Sequence, residues 1–70
     1  MDLFQCVIVA ERFNLNMAQI DDLVAEGSLH LNNESFLMLY KHPSLAFVVE
    51  HRSYKGESLA FLSVDGPYAR

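Results

Sequence analysis

Residues 44–64 read SLAFVVEHRSYKGESLAFLSV, and the tetrapeptide SLAF occurs in them twice. Two apolar segments, rich in β-branched and aromatic residues, thus flank a polar stretch from His51 to Glu57, which is typical of a β-hairpin. Residues 53–56, Ser-Tyr-Lys-Gly, suit a type I turn closed by a glycine in the left-handed region. The sequence therefore predicts a hairpin as the C-terminal part of the fold.

The register of this hairpin predicts which side chains share a face of the sheet. Because the loop has an odd number of residues, one face of the hairpin carries a strongly apolar set of side chains. The opposite face carries apolar side chains as well. Apolar surface left over in this way favours contact with a partner or with a second copy of the chain. The first set is Leu45, Phe47, Val49, Leu59 and Phe61, and the second is Ala46, Val48, Ala60, Leu62 and Val64.

The clearest helix lies between Asn16 and Gly27. Asn16 can cap its N-terminus while Gln19 reaches back in a capping box, and Gly27 can end it. Apolar residues recur at helical spacing on one side and acidic residues lie opposite them, so we predict an amphipathic helix with an acidic outer face. The apolar residues are Met17, Ile20, Leu23 and Val24, and the acidic residues are Asp21, Asp22 and Glu26.

Residues 3–13 allow two interpretations. The three consecutive β-branched residues 7–9 are stiff at χ1 and favour a central strand, which is the interpretation we prefer. A helix competes with it, because Asp2 and Gln5 have the spacing of a capping box and the apolar residues that follow form a helical stripe.

The segment before Pro43 is also ambiguous. Asn32 and Asn33 offer a cap before Glu34, and Pro43 cannot continue a helix, so we expect a second helix over residues 34–42. The five consecutive apolar residues within it have no periodicity of their own, so a buried strand is the alternative.

Length and composition limit the fold and its setting. Seventy residues, 51% of them apolar, provide for one core and argue against disorder. We therefore predict one α+β domain over residues 1–70, in which an antiparallel sheet of the N-terminal strand and the C-terminal hairpin carries both short helices on one face. The apolar runs are too short to span a bilayer, no targeting segment is evident, and the single cysteine suits a reducing compartment, so we expect a cytoplasmic protein.

Residue types that carry chemistry are present without the spacing that chemistry needs. His30, His42 and His51 lack the i, i+4 spacing of a helical zinc site, and Cys6 beside β-branched neighbours is expected to be a small buried hydrophobe. The serines and glycines form neither a nucleophile motif nor a phosphate-binding loop. We therefore expect no metal, no cofactor and no enzymatic activity.

Charge and tyrosines provide the functional lead. Residues 1–35 carry six acidic residues and one basic residue, and the whole chain has a net charge of −4. We predict a non-enzymatic interaction module, a small regulator or inhibitor of the kind that phages and mobile elements encode, which binds a basic surface on a partner protein. The alternatives are a winged-helix-like nucleic-acid-binding regulator, which the acidic balance disfavours, and a small homodimeric subunit. The predicted contact residues are Asp21, Asp22, Glu26, Tyr40 and Tyr54.

Overall fold

The computed structural model describes residues 1–43 and 46–64. Their strands form an antiparallel meander in the order β1-β2-β3-β4, with α1 packed against β4 and α2 against β1 and β2. The predicted α+β class is confirmed. The elements are α1 (Leu3–Phe13), α2 (Met17–Glu26), β1 (Ser28–His30), β2 (Ser35–Lys41), β3 (Phe47–Ser53) and β4 (Ser58–Val64).

Residues 3–13 form a helix, so the preferred N-terminal strand is wrong. The backbone N–H of Gln5 donates to the Asp2 carboxylate at 2.8 Å, and the Asp2 N–H donates to the Gln5 side chain at 3.0 Å. This capping box satisfies two N–H groups of the first turn. Val9 of the β-branched run is fully buried in the core, so cap and packing together override a weak local preference for strand.

The predicted helix between Asn16 and Gly27 is confirmed, with both ends as expected. Asn16 and Gln19 exchange two hydrogen bonds of 2.8 Å. The helix ends at Gly27, whose φ of 78° lies in the left-handed region, where glycine avoids a steric penalty. Ile20 and Leu23 face the core.

Residues 35–41 form strand β2, so the predicted helix over residues 34–42 is wrong. The Asn32 side chain does cap, but it caps a turn: its Oδ1 accepts from the N–H groups of Glu34 at 2.8 Å and Ser35 at 2.9 Å. β2 then lies between β1 and β3. A strand inside the sheet can carry apolar residues on both faces, which explains why the run shows no alternation.

The C-terminal hairpin is confirmed, including its turn. The Gly56 N–H donates to the Ser53 carbonyl oxygen at 3.0 Å, and Gly56 has a φ of 98°. The sequence Asp-Gly-Pro-Tyr at residues 65–68 favours a turn, but these residues lie outside the described ranges, as does Leu45.

The predicted faces of the hairpin are wrong because β4 contains a bulge. Next to the turn, Arg52 pairs with Ser58, whereas His51 pairs with Ala60, so Leu59 is an extra residue. A shift of one residue moves every later side chain to the other face. Val49 therefore shares its face with Leu62 and Val64, and not with Leu59 and Phe61.

The core lies between the helices and one face of the sheet. Its members are Val9, Ile20, Leu23, Leu29, Leu37, Val49 and Val64. We call the other side of the sheet the open face, because no described helix packs on it. Strand alternation assigns to the open face Ser28, His30, Phe36, Met38, Tyr40, Val48, Glu50, Arg52, Ser58, Phe61 and Ser63.

Candidate functional site

The five predicted contact residues fall into two groups on opposite sides of the sheet. Asp21, Asp22 and Glu26 are exposed on α2, which packs on the covered side of the sheet. Tyr40 belongs to the open face, and Tyr54 lies in the turn at its end, where its ring contacts Phe36 and His30 of that face. The five residues therefore cannot form one continuous patch, and their role in binding stays a prediction.

The acidic residues of α2 remain uncompensated within the described chain. Asp21, Asp22 and Glu26 form no ion pair with any residue of the ranges 1–43 and 46–64. Asp22 and Glu26 are four residues apart on one helix and repel each other. Their field therefore acts outward, on whatever approaches this side of the protein.

Tyr54 is the centre of an aromatic cluster at the turn end of the open face. Its ring lies 4.8 Å from the Phe36 ring and 5.8 Å from the His30 ring, measured between centroids. The Tyr54 hydroxyl and His30 Nδ1 are hydrogen-bonded at 2.6 Å, and the Tyr54 N–H donates to the Glu34 carbonyl oxygen at 3.0 Å. These contacts hold a side chain that is 54% exposed.

A polar network occupies the middle of the open face. Glu50 lies between Met38 of β2 and Phe61 of β4 in the register and is only 7% exposed. The Tyr40 hydroxyl donates to Glu50 Oε1 at 2.8 Å, and Arg52 Nε lies 3.8 Å from Glu50 Oε2. The buried carboxylate is thus paired from two sides, as a buried charge must be.

The pKa values of this network fix its charge. Burial raises the pKa of Glu50, but hydrogen bonds from Tyr40 and Ser58 and the positive charge of Arg52 outweigh it, so the pKa lies below 4.5. The hydrogen bond to Glu50 raises the pKa of Tyr40 above 10.0, and burial and the Glu50 charge add to this effect. At neutral pH a carboxylate, a guanidinium and a neutral phenol face one another, and the network has no net charge.

The open face offers apolar anchors around this neutral centre. Tyr40 is 41% exposed and Phe61 is 60% exposed, and Tyr54 adds a third ring. A cleft of about 640 Å³ at the turn end of the sheet is lined by Tyr54 and by polar loop residues such as Asn32 and Glu57, and also by His51 of the covered side. Such a surface can bind by aromatic contact and hydrogen bonding.

The residues considered for chemistry lie apart. His42 follows β2 and not the end of a helix, and His51 lies edge-to-face with Phe13 at 6.1 Å. Cys6 lies on α1, partly buried against the core. In the part of the chain that the structure describes, no three His, Cys, Asp or Glu side chains form a group that could hold a metal ion.

Sequence reasoning missed Phe36, Glu50, Arg52 and Phe61 as members of this face. The alternation of Val48, Glu50 and Arg52 along one predicted strand was the available signal. This alternation alone does not place Tyr40 beside Glu50. That contact can be predicted only if residues 35–41 are also predicted to form a strand.

No model of a known protein family matches the chain, and neither the curated proteins nor the solved structures compared with it yield a match. Neither described helix is both long and apolar enough to cross a membrane.

Proposed function

We propose that this chain is a non-enzymatic interaction protein that binds a partner protein through its open face. The supporting observation is a sheet face without a described helix over it, which exposes Tyr40, Tyr54 and Phe61 around a paired carboxylate. Tyrosine and phenylalanine are enriched at protein interfaces, where they bury large areas at a small entropic cost. A chain of this size then acts by occupying a surface of its partner, as a regulator or inhibitor does.

The partner's surface is basic and carries apolar groups. The chain has a net charge of −4, and the carboxylates of α2 act at a distance because they lie on the other side of the sheet. Charges outside a contact mainly raise the association rate, whereas buried anchors set the dissociation rate. Substitutions of the α2 carboxylates should therefore change mainly the association rate, and substitutions of Tyr40 or Tyr54 mainly the dissociation rate.

One observation favours a second candidate function, the binding of single-stranded nucleic acid. Open antiparallel sheets with exposed aromatic residues can stack unpaired bases. Phosphate contacts also require cations, and Arg52 at the centre of this face is already paired with Glu50. We therefore rank this function below protein binding.

The test compares three variants in affinity capture from cells of the native host. Tyr54→Ser removes an anchor of the open face, and the triple variant Asp21→Lys, Asp22→Lys, Glu26→Lys reverses the charge of α2. Val24→Ser is the matched control, because Val24 is a 44% exposed apolar residue on α2. Circular dichroism confirms that each variant folds.

We expect the Tyr54 variant to lose a protein that the control retains. With that protein purified, the Tyr54 variant should dissociate faster, and the α2 variant should associate more slowly with a weaker dependence on salt. Equal capture by the native chain and the Tyr54 variant would contradict the proposal. Salt-sensitive binding of a single-stranded oligonucleotide, lost in the same variant, would favour the second candidate.

A further inference from the structure

The outer edge of β4 lacks the features that normally protect a sheet edge. β4 is the last strand of the described sheet and pairs only with β3. Its sequence, SLAFLSV, contains no charged residue and no proline. Exposed edges usually carry lysine or proline or are very short, because their unpaired N–H and C=O groups accept another strand. The other edge, β1, has only three residues.

The side chains of β4 favour strand pairing as well. Leu59 and Phe61 are 50% and 60% exposed. The bulge at Leu59 lies at the turn end, and residues 60–64 pair regularly with β3. The free edge therefore offers a regular strand with apolar side chains.

The helix that packs against β4 exposes apolar surface too. Gln5 Nε2 of α1 donates to the Val64 carbonyl oxygen of β4 at 3.5 Å. On the same helix, Leu3 and Phe4 are each 73% exposed and Val7 is 46% exposed. Apolar patches of this kind mark interaction sites, and here the patch belongs to the element beside the unpaired edge.

The charge distribution does not oppose a second copy of this chain as the occupant of the β4 edge. The acidic helix α2 packs against β1 and β2, at the opposite edge of the sheet. Two copies joined along β4 would hold these helices at the two far ends of the joint sheet, where solvent and salt screen their repulsion. β4 itself adds no charge to the contact.

We propose that two copies of the chain pair antiparallel along β4, about a two-fold axis at Phe61. Phe61 is the middle residue of Ser58–Val64, and this register places Phe61 opposite Phe61 and Ala60 opposite Leu62, within the part of β4 that lies beyond the bulge at Leu59. The two α1 helices, each of which packs against β4, then lie on the same side of the joint sheet. A closed two-fold contact of this kind uses the same surface on both partners.

This inference goes beyond the proposed function and does not depend on it. The paired sheet leaves Tyr40 and Tyr54 accessible, and symmetry puts both open faces on one side. The dimer would therefore present two partner-binding faces side by side.

Light scattering on a size-exclusion column tests the pairing. We expect the native chain to elute at twice its mass of 8.0 kDa. Phe61→Lys should elute as a folded monomer, because two ammonium groups would meet at the axis, while Val24→Lys on α2 should remain dimeric. A native monomer at high micromolar concentration, or a Phe61→Lys dimer, would overturn the proposal.

Disulfide formation tests the register in a Cys6→Ala background. Residues directly opposite in an antiparallel pair have Cα atoms about 4.5–5.5 Å apart, within the range that a disulfide spans. Phe61→Cys should therefore cross-link to its copy under mild oxidation. Leu59→Cys, equally exposed but opposite Ser63 of the copy, should not. Equal cross-linking of both variants, or of neither, would overturn the axis at Phe61, and capture of a partner through Tyr54 would be unaffected.

Discussion

Removal of the Tyr54 side chain tests whether the aromatic cluster of the open face is ordered before a partner binds. Tyr54→Phe removes the hydrogen bond to His30 (2.6 Å). We expect the free energy of unfolding to fall by about 0.5 kcal/mol, which is the lower end of the range for a hydrogen bond because this one is exposed. Tyr54→Ala also removes the contact with Phe36 at 4.8 Å, which adds about 0.5–1.5 kcal/mol. In a chain of this length, each kcal/mol lowers Tm by roughly 4–8 °C.

Urea unfolding followed by circular dichroism gives these values, at one protein concentration so that association does not contribute. A double-mutant cycle of Tyr54→Ala and Phe36→Ala should show a coupling of about 1 kcal/mol. Val24→Ala, at a similarly exposed apolar position on α2, is the control and should change stability little. A coupling below about 0.3 kcal/mol would mean that the rings do not pack in solution, and the pre-formed cluster would have to be abandoned.

Three further predictions concern the scaffold, each measured by urea unfolding. Gly27→Ala should lower the free energy of unfolding by about 1 kcal/mol through its left-handed backbone alone, because no atom outside the neighbouring residues lies within 4 Å of an added Cβ. Gly27→Asn should lower it less, and an equal loss in both variants would count against the left-handed conformation. Leu37→Ala should cost about 2–5 kcal/mol and leave little of the fold, whereas a loss below about 1 kcal/mol would place Leu37 outside the core. Because the pKa of Glu50 is lowered in the folded protein, its carboxylate contributes stability that is complete above pH 4.5 and is lost as the pH falls through the pKa of the folded state. If the free energy of unfolding falls at acid pH in the same way in Glu50→Gln, this contribution is disproved.

The two helical segments show what local sequence signals can and cannot decide. In α2 the local signals agree. Asn16 and Gln19 predict the start, apolar residues at helical spacing predict the body of the helix, and Gly27 predicts the end, as the structure has them. In α1 the capping box competed with three β-branched residues, and only the core contact of Val9 settles the competition. A short segment with conflicting signals adopts the structure that its tertiary contacts favour.

The strands depended on information that is not local. Residues 36–40 are apolar without alternation because β2 is an inner strand with a helix-covered face and an aromatic open face. The extra residue Leu59 reverses the faces of β4, and a bulge has no sequence signature in the segment SLAF. One inserted residue is therefore enough to place Val64, and not Phe61, on the same face as the core residue Val49.

The candidate site was predictable only in part. The sequence predicts Tyr40 and Tyr54 as contact residues. That Tyr40 lies beside the Glu50–Arg52 pair follows only from the strand register, and that Tyr54 lies on the same side follows only from its ring contacts with Phe36 and His30. The acidic residues of α2 were correctly expected on an outer face of the helix. Their position on the other side of the sheet required knowledge of how the helices pack.

A map of the contact surface by NMR shows directly whether the open face binds the partner. The amide chemical shifts of the isotope-labelled chain can be followed by NMR as the captured partner is added. If the open face binds the partner, the largest shift changes fall on Tyr40, Arg52 and Tyr54, and the changes over residues 20–26 are small. Changes concentrated in residues 20–26, with an undisturbed open face, would contradict the proposal.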